Sequence, residues 1–332
     1  MMAVLVQLGT IAYAVVLPLL LMIGIGFAVQ RMLGLDMPTL TRLNFYLVVP
    51  GMVYFALVAS EVSWRDVGVV MGFSLLAMAT WAGVTLLVAA LRGVPRDQRN
   101  AMLMSTIFYN AGNYGLPLQE LAFRPAGRAA SEQAMSLQVF VMLVQNITGF
   151  TLGVLLAAGQ FRDGMWKRNL LHIVKFPPIY ALAAAMVTIG VRHALGDRAG
   201  EVGEALRPFW ETVLYVKDGF VVVALATLGA QLATVTRRGV YYPVTTTVLL
   251  RLLAAPTIGF ALIWLLGIEG FTSQVLLIST ATPTSVNCLL LCLQFDNHPD
   301  YVARNVFYST VLSPVTVTLV ILLSQSGLLP GT

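Results

Sequence analysis

The sequence predicts an all-α polytopic membrane protein of ten transmembrane helices, arranged as two inverted five-helix repeats whose two broken helices cross. Three observations predict it. Of 332 residues, 58% are hydrophobic and only 11% charged, against about 25% charged in a soluble domain. The charges bunch, leaving runs such as Val4–Gln30, Val67–Leu91, Gln133–Gln160, Phe220–Thr236, Leu252–Gly267 and Val306–Thr332 nearly free of them. Each run is long enough to cross a hydrocarbon core of about 30 Å as a helix. Two further apolar spans are interrupted at corresponding places in the two halves of the chain, the first by Asn, Gly and Pro and the second by Pro and Asn.

Span one, residues 8–31, has no basic region and no small-residue cleavage site before it, so a retained helix is expected rather than a signal peptide. Spans two and three follow at 40–60 and 67–92. Span four, 100–123, contains NAGNYGLPL and is expected to break over Asn110–Pro117. Span five, 133–160, closes the first half before Arg162. Span six, 169–193, opens with Lys175 beside Pro177-Pro178, a lysine able to snorkel to the interface. Span seven, 205–234, carries Lys217 and Asp218, and span eight, 241–267, carries Arg251. Span nine, 272–294, is expected to break over Pro283–Asn287. Its Cys288 and Cys292 lie one helical turn apart in an apolar segment, which reads as two small core residues rather than a disulfide or metal site. Span ten occupies 303–328.

The two halves, 1–161 and 168–332, repeat one another within one membrane domain. Ser105-Thr106 stands before Asn113 at the same spacing as Ser279-Thr280 before Asn287. Span five from Val139 overlies span ten from Val306 at Val139/Val306, Phe140/Phe307, Val144/Val311 and Thr151/Thr318. An odd number of spans per half inverts the second repeat relative to the first, as in secondary transporters. The connections after odd-numbered spans hold Arg31, Arg42, Arg92, Arg96, Arg99, Arg162, Lys167, Arg168, Arg237 and Arg238 with few acids. Those after even-numbered spans dilute their arginines, Arg198 among them, with Glu61, Asp66, Glu132, Asp197, Glu201, Glu204, Glu269, Asp296 and Asp300. The positive-inside rule then makes the odd connections cytoplasmic and sets both termini outside a cell (inner) membrane.

Irregular backbone survives at membrane depth only where protein or a water-filled cavity surrounds it. Two broken helices crossing near the midplane make such a cavity, and the half-helix after each break presents unpaired N–H groups and a positive dipole end that attract an anion. The residues of the breaks are therefore the candidate substrate ligands: Asn110, Asn113, Tyr114, Gly115 and Pro117 in span four, and Pro283, Thr284, Ser285 and Asn287 in span nine. Gly112 and Gly115 permit close backbone approach, Pro117 suits a first helical turn, and the asparagines offer donors and acceptors. A proline kink with asparagines joining helices is the bland alternative. The pairing of breaks in both halves favours the binding site.

Charges inside spans are the next candidates, because each is costly there. Lys217 and Asp218 fall near mid-depth; adjacent residues point about 100° apart on a helix, so they are expected to face different partners. Asp218 is a candidate proton or cation ligand and Lys217 an anion-attracting charge, against a pair that neutralises itself. Arg251 is either a substrate counter-charge or a brace for the carbonyl end of a broken helix. Glu120 follows the first break closely and either belongs near the site or marks the outer mouth.

The segment NAGNYGLPL resembles the span-four signature of the auxin efflux carrier family, whose bacterial members include malonate-type permeases. TRLNFYLVVPGMVYFAL in span two, ALATLGAQLA in span seven, LLRLLAAP in span eight, and TPTSVNCLLL followed by STVLSP in spans nine and ten agree with it. The resemblance covers nearly the whole chain. It implies a sodium/proton-antiporter-like architecture, elevator motion of a scaffold against a crossover formed by spans four and nine, and organic-anion substrates, typically carboxylates. Val222 departs from the proline usual in bacterial relatives, and the long central loop of plant members is absent.

Catalytic readings find no support. His172, His193 and His298 lie at span ends or in loops without metal-type spacing, and no GxSxG, HExxH or Walker-type segment occurs. No enzyme activity, metal or cofactor is expected, and the mild positive charge belongs to membrane loops rather than nucleic-acid binding. The expected partners are a small carboxylate and the lipid bilayer, with a homodimer one assembly open to it. A bile-acid/sodium-symporter-like carrier and an anion channel are the alternatives.

Overall fold

The computed structural model describes residues 2–59, 62–159, 176–196, 199–235 and 242–332. The expectations that concern Glu61, Arg162, Asp163, Lys167, Arg168, His172, Lys175, Asp197, Arg198, Arg237 and Arg238, and the junction of the two halves at 161 and 168, lie outside these residues. Every regular element among the described residues is helical. Among the described residues, eight helices are long and apolar enough to cross a membrane: α1 Val4–Leu33, α2 Met37–Ala59, α3 Trp64–Leu91, α6 Arg128–Ala158, α7 Pro177–Leu195, α8 Arg207–Thr234, α9 Val244–Leu266 and α12 Pro299–Ser324. Between them lie two segments built of paired shorter helices, α4 Arg96–Ile107 with α5 Leu116–Phe123, and α10 Gly270–Thr280 with α11 Val286–Phe295.

Local signals set the helix limits. Asp36 and Ser63 cap the starts of α2 and α3 by accepting from the backbone N–H of Thr39 (3.0 Å) and Asp66 (3.1 Å), satisfying donors that a helix start leaves over. Gly34 ends α1 and Gly267 ends α9 in left-handed backbone (φ 63° and 60°), which glycine adopts without a Cβ clash. Four long helices hold a π-helical turn, at Ala12–Val16, Asn44–Val48, Gly149–Gly153 and Leu250–Ala254. Such turns insert a residue and are frequent at functional sites; two of these four carry Asn44 and Arg251.

The helices pack in two groups. In one, α8 lies along α1 and on α2, while α7 packs on α2. The α1–α8 seam is tight: a Cβ on Gly26 would come within 2.1 Å of Ala226 O, and one on Gly229 within 2.0 Å of Ile23 O. Small residues of this kind let helix backbones touch where lipid gives no hydrophobic drive to associate. In the other group, α3, α6, α9 and α12 enclose the two broken segments. Leu21, Ile25, Leu75, Leu87, Val187, Leu265 and Val315 are exposed on the outer faces, as a lipid-facing surface requires. The apolar exterior and the span lengths together make this a multi-pass membrane protein.

The breaks themselves are shorter and shifted relative to the sequence expectation. Only residues 108–110 leave the helical path in the first segment; Ala111–Gly115 already form a π-helical turn that runs into α5. Pro117 sits in the first turn of α5, where its missing N–H is tolerated. In the second segment the helix stops after Thr280 and resumes at Val286, so Asn287 belongs to α11 and not to the break. Gly115 is needed for space and not for unusual backbone: its φ is −65°, and a Cβ there would lie 2.5 Å from Gln138 Nε2.

Candidate functional site

The two non-helical stretches cross and pair as a minimal antiparallel bridge between Tyr109 and Thr284. Asn110 N–H donates to Pro283 O (2.8 Å) and Ser285 N–H to Phe108 O (3.0 Å). Other backbone groups freed by the breaks find side chains. Tyr109 N–H donates to Gln145 Oε1 (3.2 Å), Thr284 N–H to Ser309 Oγ (3.1 Å), and Thr284 Oγ1 to Ser105 O (2.8 Å). Each bond removes an unsatisfied polar group worth several kcal/mol in lipid.

A cavity of about 570 Å³ opens on one side of this crossing, within the size range of small-ligand sites. Asn110, Gly112, Asn113, Ser285 and Asn287 line it, joined by Gln145, Asn146, Gln231 and Gln294. Phe45, Tyr46, Phe108, Tyr109, Phe150, Phe176 and Phe295 supply an aromatic wall. Among the described lining residues Arg42 is the one charged residue, and no carboxylate is present. Among the lining residues, Thr41 and Arg42 of α2, Val154 of α6, Phe176-Pro177 at the start of α7, and Gln294-Phe295 of α11 lie toward the ends of their helices.

The helix starts after both breaks meet at this cavity. The first-turn N–H groups of a helix lack intrahelical partners and carry its positive dipole end. In α11 Ser285 is the N-cap and accepts from Asn287 N–H (3.2 Å). Asn287 Nδ2 donates to Asn146 Oδ1 (3.3 Å), and Asn113 Oδ1 accepts from Asn44 Nδ2 (3.0 Å). With its carbonyl so engaged, Asn113 keeps two amide N–H donors for a ligand.

Other candidates from the sequence are directed elsewhere. Tyr114 is fully buried and its hydroxyl pairs with Ser313 Oγ of α12 (2.9 Å). Gly115 packs on Gln138, Pro117 is buried in α5, and Pro283 and Thr284 are consumed by the crossing. Arg251 is fully buried away from the cavity; its Nη1 donates to Thr106 O (2.9 Å) and its Nη2 to Thr280 O. The expectation that Lys217 and Asp218 face different partners is corrected. They pair with each other at 3.3 Å, because the long lysine side chain spans the 100° that separates adjacent residues. Asp218 is 67% exposed at its side chain, Lys217 Nζ also lies 5.5 Å over the Phe55 ring, and neither lines the cavity.

Sequence reasoning passed over Asn44, Gln145 and Asn146. Gln145-Asn146 was legible as a polar pair inside the apolar run VFVMLVQNITGF, and Asn44 as an amide inside span two. Their partners were not legible, since each bond joins residues far apart in the chain.

Residues 11–321 match the family described as "Membrane transport protein". An "Uncharacterized transporter" of Methanothermobacter thermautotrophicus is 22% identical to the chain over 309 residues, which is 92% of this chain and 95% of that protein.

Proposed function

Because the chain belongs to the membrane transport protein family, that of the auxin efflux carriers, we propose that it is a secondary transporter of small organic anions such as carboxylates, working by elevator-type alternating access. The observation that carries this reading is the meeting of two half-helix N-termini and four polar residues, Asn110, Asn113, Ser285 and Asn287, at one cavity with an arginine and no carboxylate in its described lining. Positive dipole ends and amide donors favour an anion there, and the absence of a lining acid removes the repulsion it would otherwise meet.

In this reading residues 1–161 and 168–332 are the two inverted repeats of a ten-span fold. The group of α1, α2, α7 and α8 serves as scaffold, and the remaining helices carry the crossing and the substrate. Packing is denser within each group than between them, which supports the division; across the boundary α1 meets α12, α2 meets α6 and α8 meets the first broken segment, and the Asn44–Asn113 hydrogen bond links the two. The lining residues nearest helix ends lie beside connections that follow odd-numbered spans. With those connections cytoplasmic, and both termini outside the inner membrane, the cavity opens inward. Lys217 and Asp218 neutralise one another outside the cavity and take no part in holding the substrate.

The test is binding to the purified protein, followed by thermal shift against malonate, other mono- and dicarboxylates, and indole-3-acetate. Asn113→Ala and Asn287→Ala each weaken binding by about ten- to a hundredfold, the range for a hydrogen bond to a charged group, with a size-exclusion profile like the wild type. Unchanged affinity in both variants refutes the site. Saturable counterflow in liposomes separates a carrier from a channel.

A further inference from the structure

Arg251 is the largest fully buried side chain among the described residues, and both groups it holds are backbone carbonyls. Thr106 O belongs to the last turn of α4 and Thr280 O to the last turn of α10. In an unbroken helix these carbonyls accept from the N–H four residues on. Here the N–H of Asn110 goes to Pro283 O and that of Thr284 to Ser309 Oγ. The crossing therefore strips each carbonyl of its own partner, at matching positions in the two Ser-Thr pairs, and one guanidinium serves both.

The charges match as well as the hydrogen bonds. A helix C-terminus carries about −0.5 of an elementary charge, so two converging ends sum to roughly the single positive charge of an arginine. The guanidinium carbon lies 4.8 Å from the ring centroid of Trp81 and 4.8 Å from that of Tyr109. Two aromatic faces thus hold the cation in place. Tyr109 is also part of the cavity wall, so the brace backs directly onto the site without entering it.

In secondary transporters, half-helix C-terminal ends and unwound carbonyls are where a coupling sodium ion is held. Resting on the transporter reading, the geometry points to Arg251 as a built-in counter-cation: it fills the place between the two helix ends where an alkali cation would otherwise bind. The crossing then needs no sodium ion to stay assembled, and sodium bound there does not drive the substrate. Arg251 is a positioning residue, acting on the substrate only through α4, α10 and Tyr109.

The experiment is thermal melting of the purified full chain, without substrate, in sodium, lithium, potassium or choline chloride at equal ionic strength. Wild-type protein melts at one temperature in all four salts. Arg251→Gln melts about 5–10 °C lower in choline, as expected for breaking a buried charged contact, and sodium or lithium restores part of that loss in a saturable way. Arg251→Lys keeps the charge, gives up the two-pronged geometry, and melts between the two with no response to sodium. Saturable stabilisation of the wild type by sodium overturns the inference, and so does an Arg251→Gln protein that melts like the wild type or ignores alkali cations. Should Arg251→Gln not purify, Arg251→Lys decides: a folded protein supports charge replacement, and loss of that protein too overturns it. Because no substrate enters the measurement, either result leaves the transporter reading to its own test.

Discussion

Asn44 and Asn113 show how much rests on single amides. Asn44 is completely buried in the π-helical turn of α2, and its donor reaches Asn113 across the boundary between the two helix groups. That bond orients Asn113 so that its own N–H groups remain for a ligand, and it must break if the groups slide past one another. Asn44→Ala removes the orienting partner and not a ligand. Affinity for the best carboxylate is expected to fall by about fivefold, the worth of one ordinary hydrogen bond, and less than in Asn113→Ala. Titration of the variants side by side checks the order; a larger loss at Asn44 makes it a direct ligand. The contrast with Lys217 is instructive. A charge near mid-depth attracts attention in a sequence, yet its nearest partners are Asp218 and an aromatic ring.

At the scale of elements, close approach decides which glycines matter. On Gly229 a Cβ would meet Ile23 O at 2.0 Å and Phe27 N at 2.8 Å, both backbone atoms of α1 that cannot turn aside. Gly83, inside α3, has nothing within 4 Å of the same position. Gly229→Ala therefore forces α1 and α8 apart and is expected to lower stability by at least about 1–3 kcal/mol, the usual range for overpacking. Gly83→Ala should raise stability slightly, by about 0.5–1 kcal/mol, because alanine loses less backbone entropy in a helix. Melting temperatures of the two purified variants check this, and equal shifts would remove the seam as a rigid element. The breaks follow the same logic: α4 ends where Asn110 N–H turns to Pro283 O across the crossing, and α10 where Thr284 N–H turns to Ser309 Oγ of α12, with no glycine or proline at the last helical residue.

For the whole molecule the decisive question is which side the cavity faces. In a protein with Cys288→Ala and Cys292→Ala, a cysteine placed at Gly127 lies in the connection after α5, which follows span four, and one at Arg96 opens α4 directly after the connection that follows span three. With the connections after odd-numbered spans cytoplasmic, an impermeant thiol reagent applied to intact cells labels Gly127→Cys and spares Arg96→Cys. Asn287→Cys, facing the cavity, labels only after permeabilisation. Labelling of Arg96→Cys in intact cells reverses the orientation and makes the cavity outward-open.

Composition and spacing by themselves determined the class of this protein. Apolar runs of 20 residues and more, far longer than the strands of a barrel, cross a membrane as helices, which satisfy every backbone group within one segment. Paired Asn and Pro clusters, the first also holding Gly112 and Gly115, announced two broken helices, and the broken segments carry Asn110, Asn113, Ser285 and Asn287 to the cavity. What only the tertiary structure decided is where each polar group points. Asn110 meets Pro283, Arg251 meets Thr106 and Thr280, and Asn44 meets Asn113. Helical periodicity orders residues within a turn or two, whereas these bonds join segments far apart in the chain. Their formation depends on backbone donors and acceptors released by the breaks, groups that every residue carries and that no residue letter reveals.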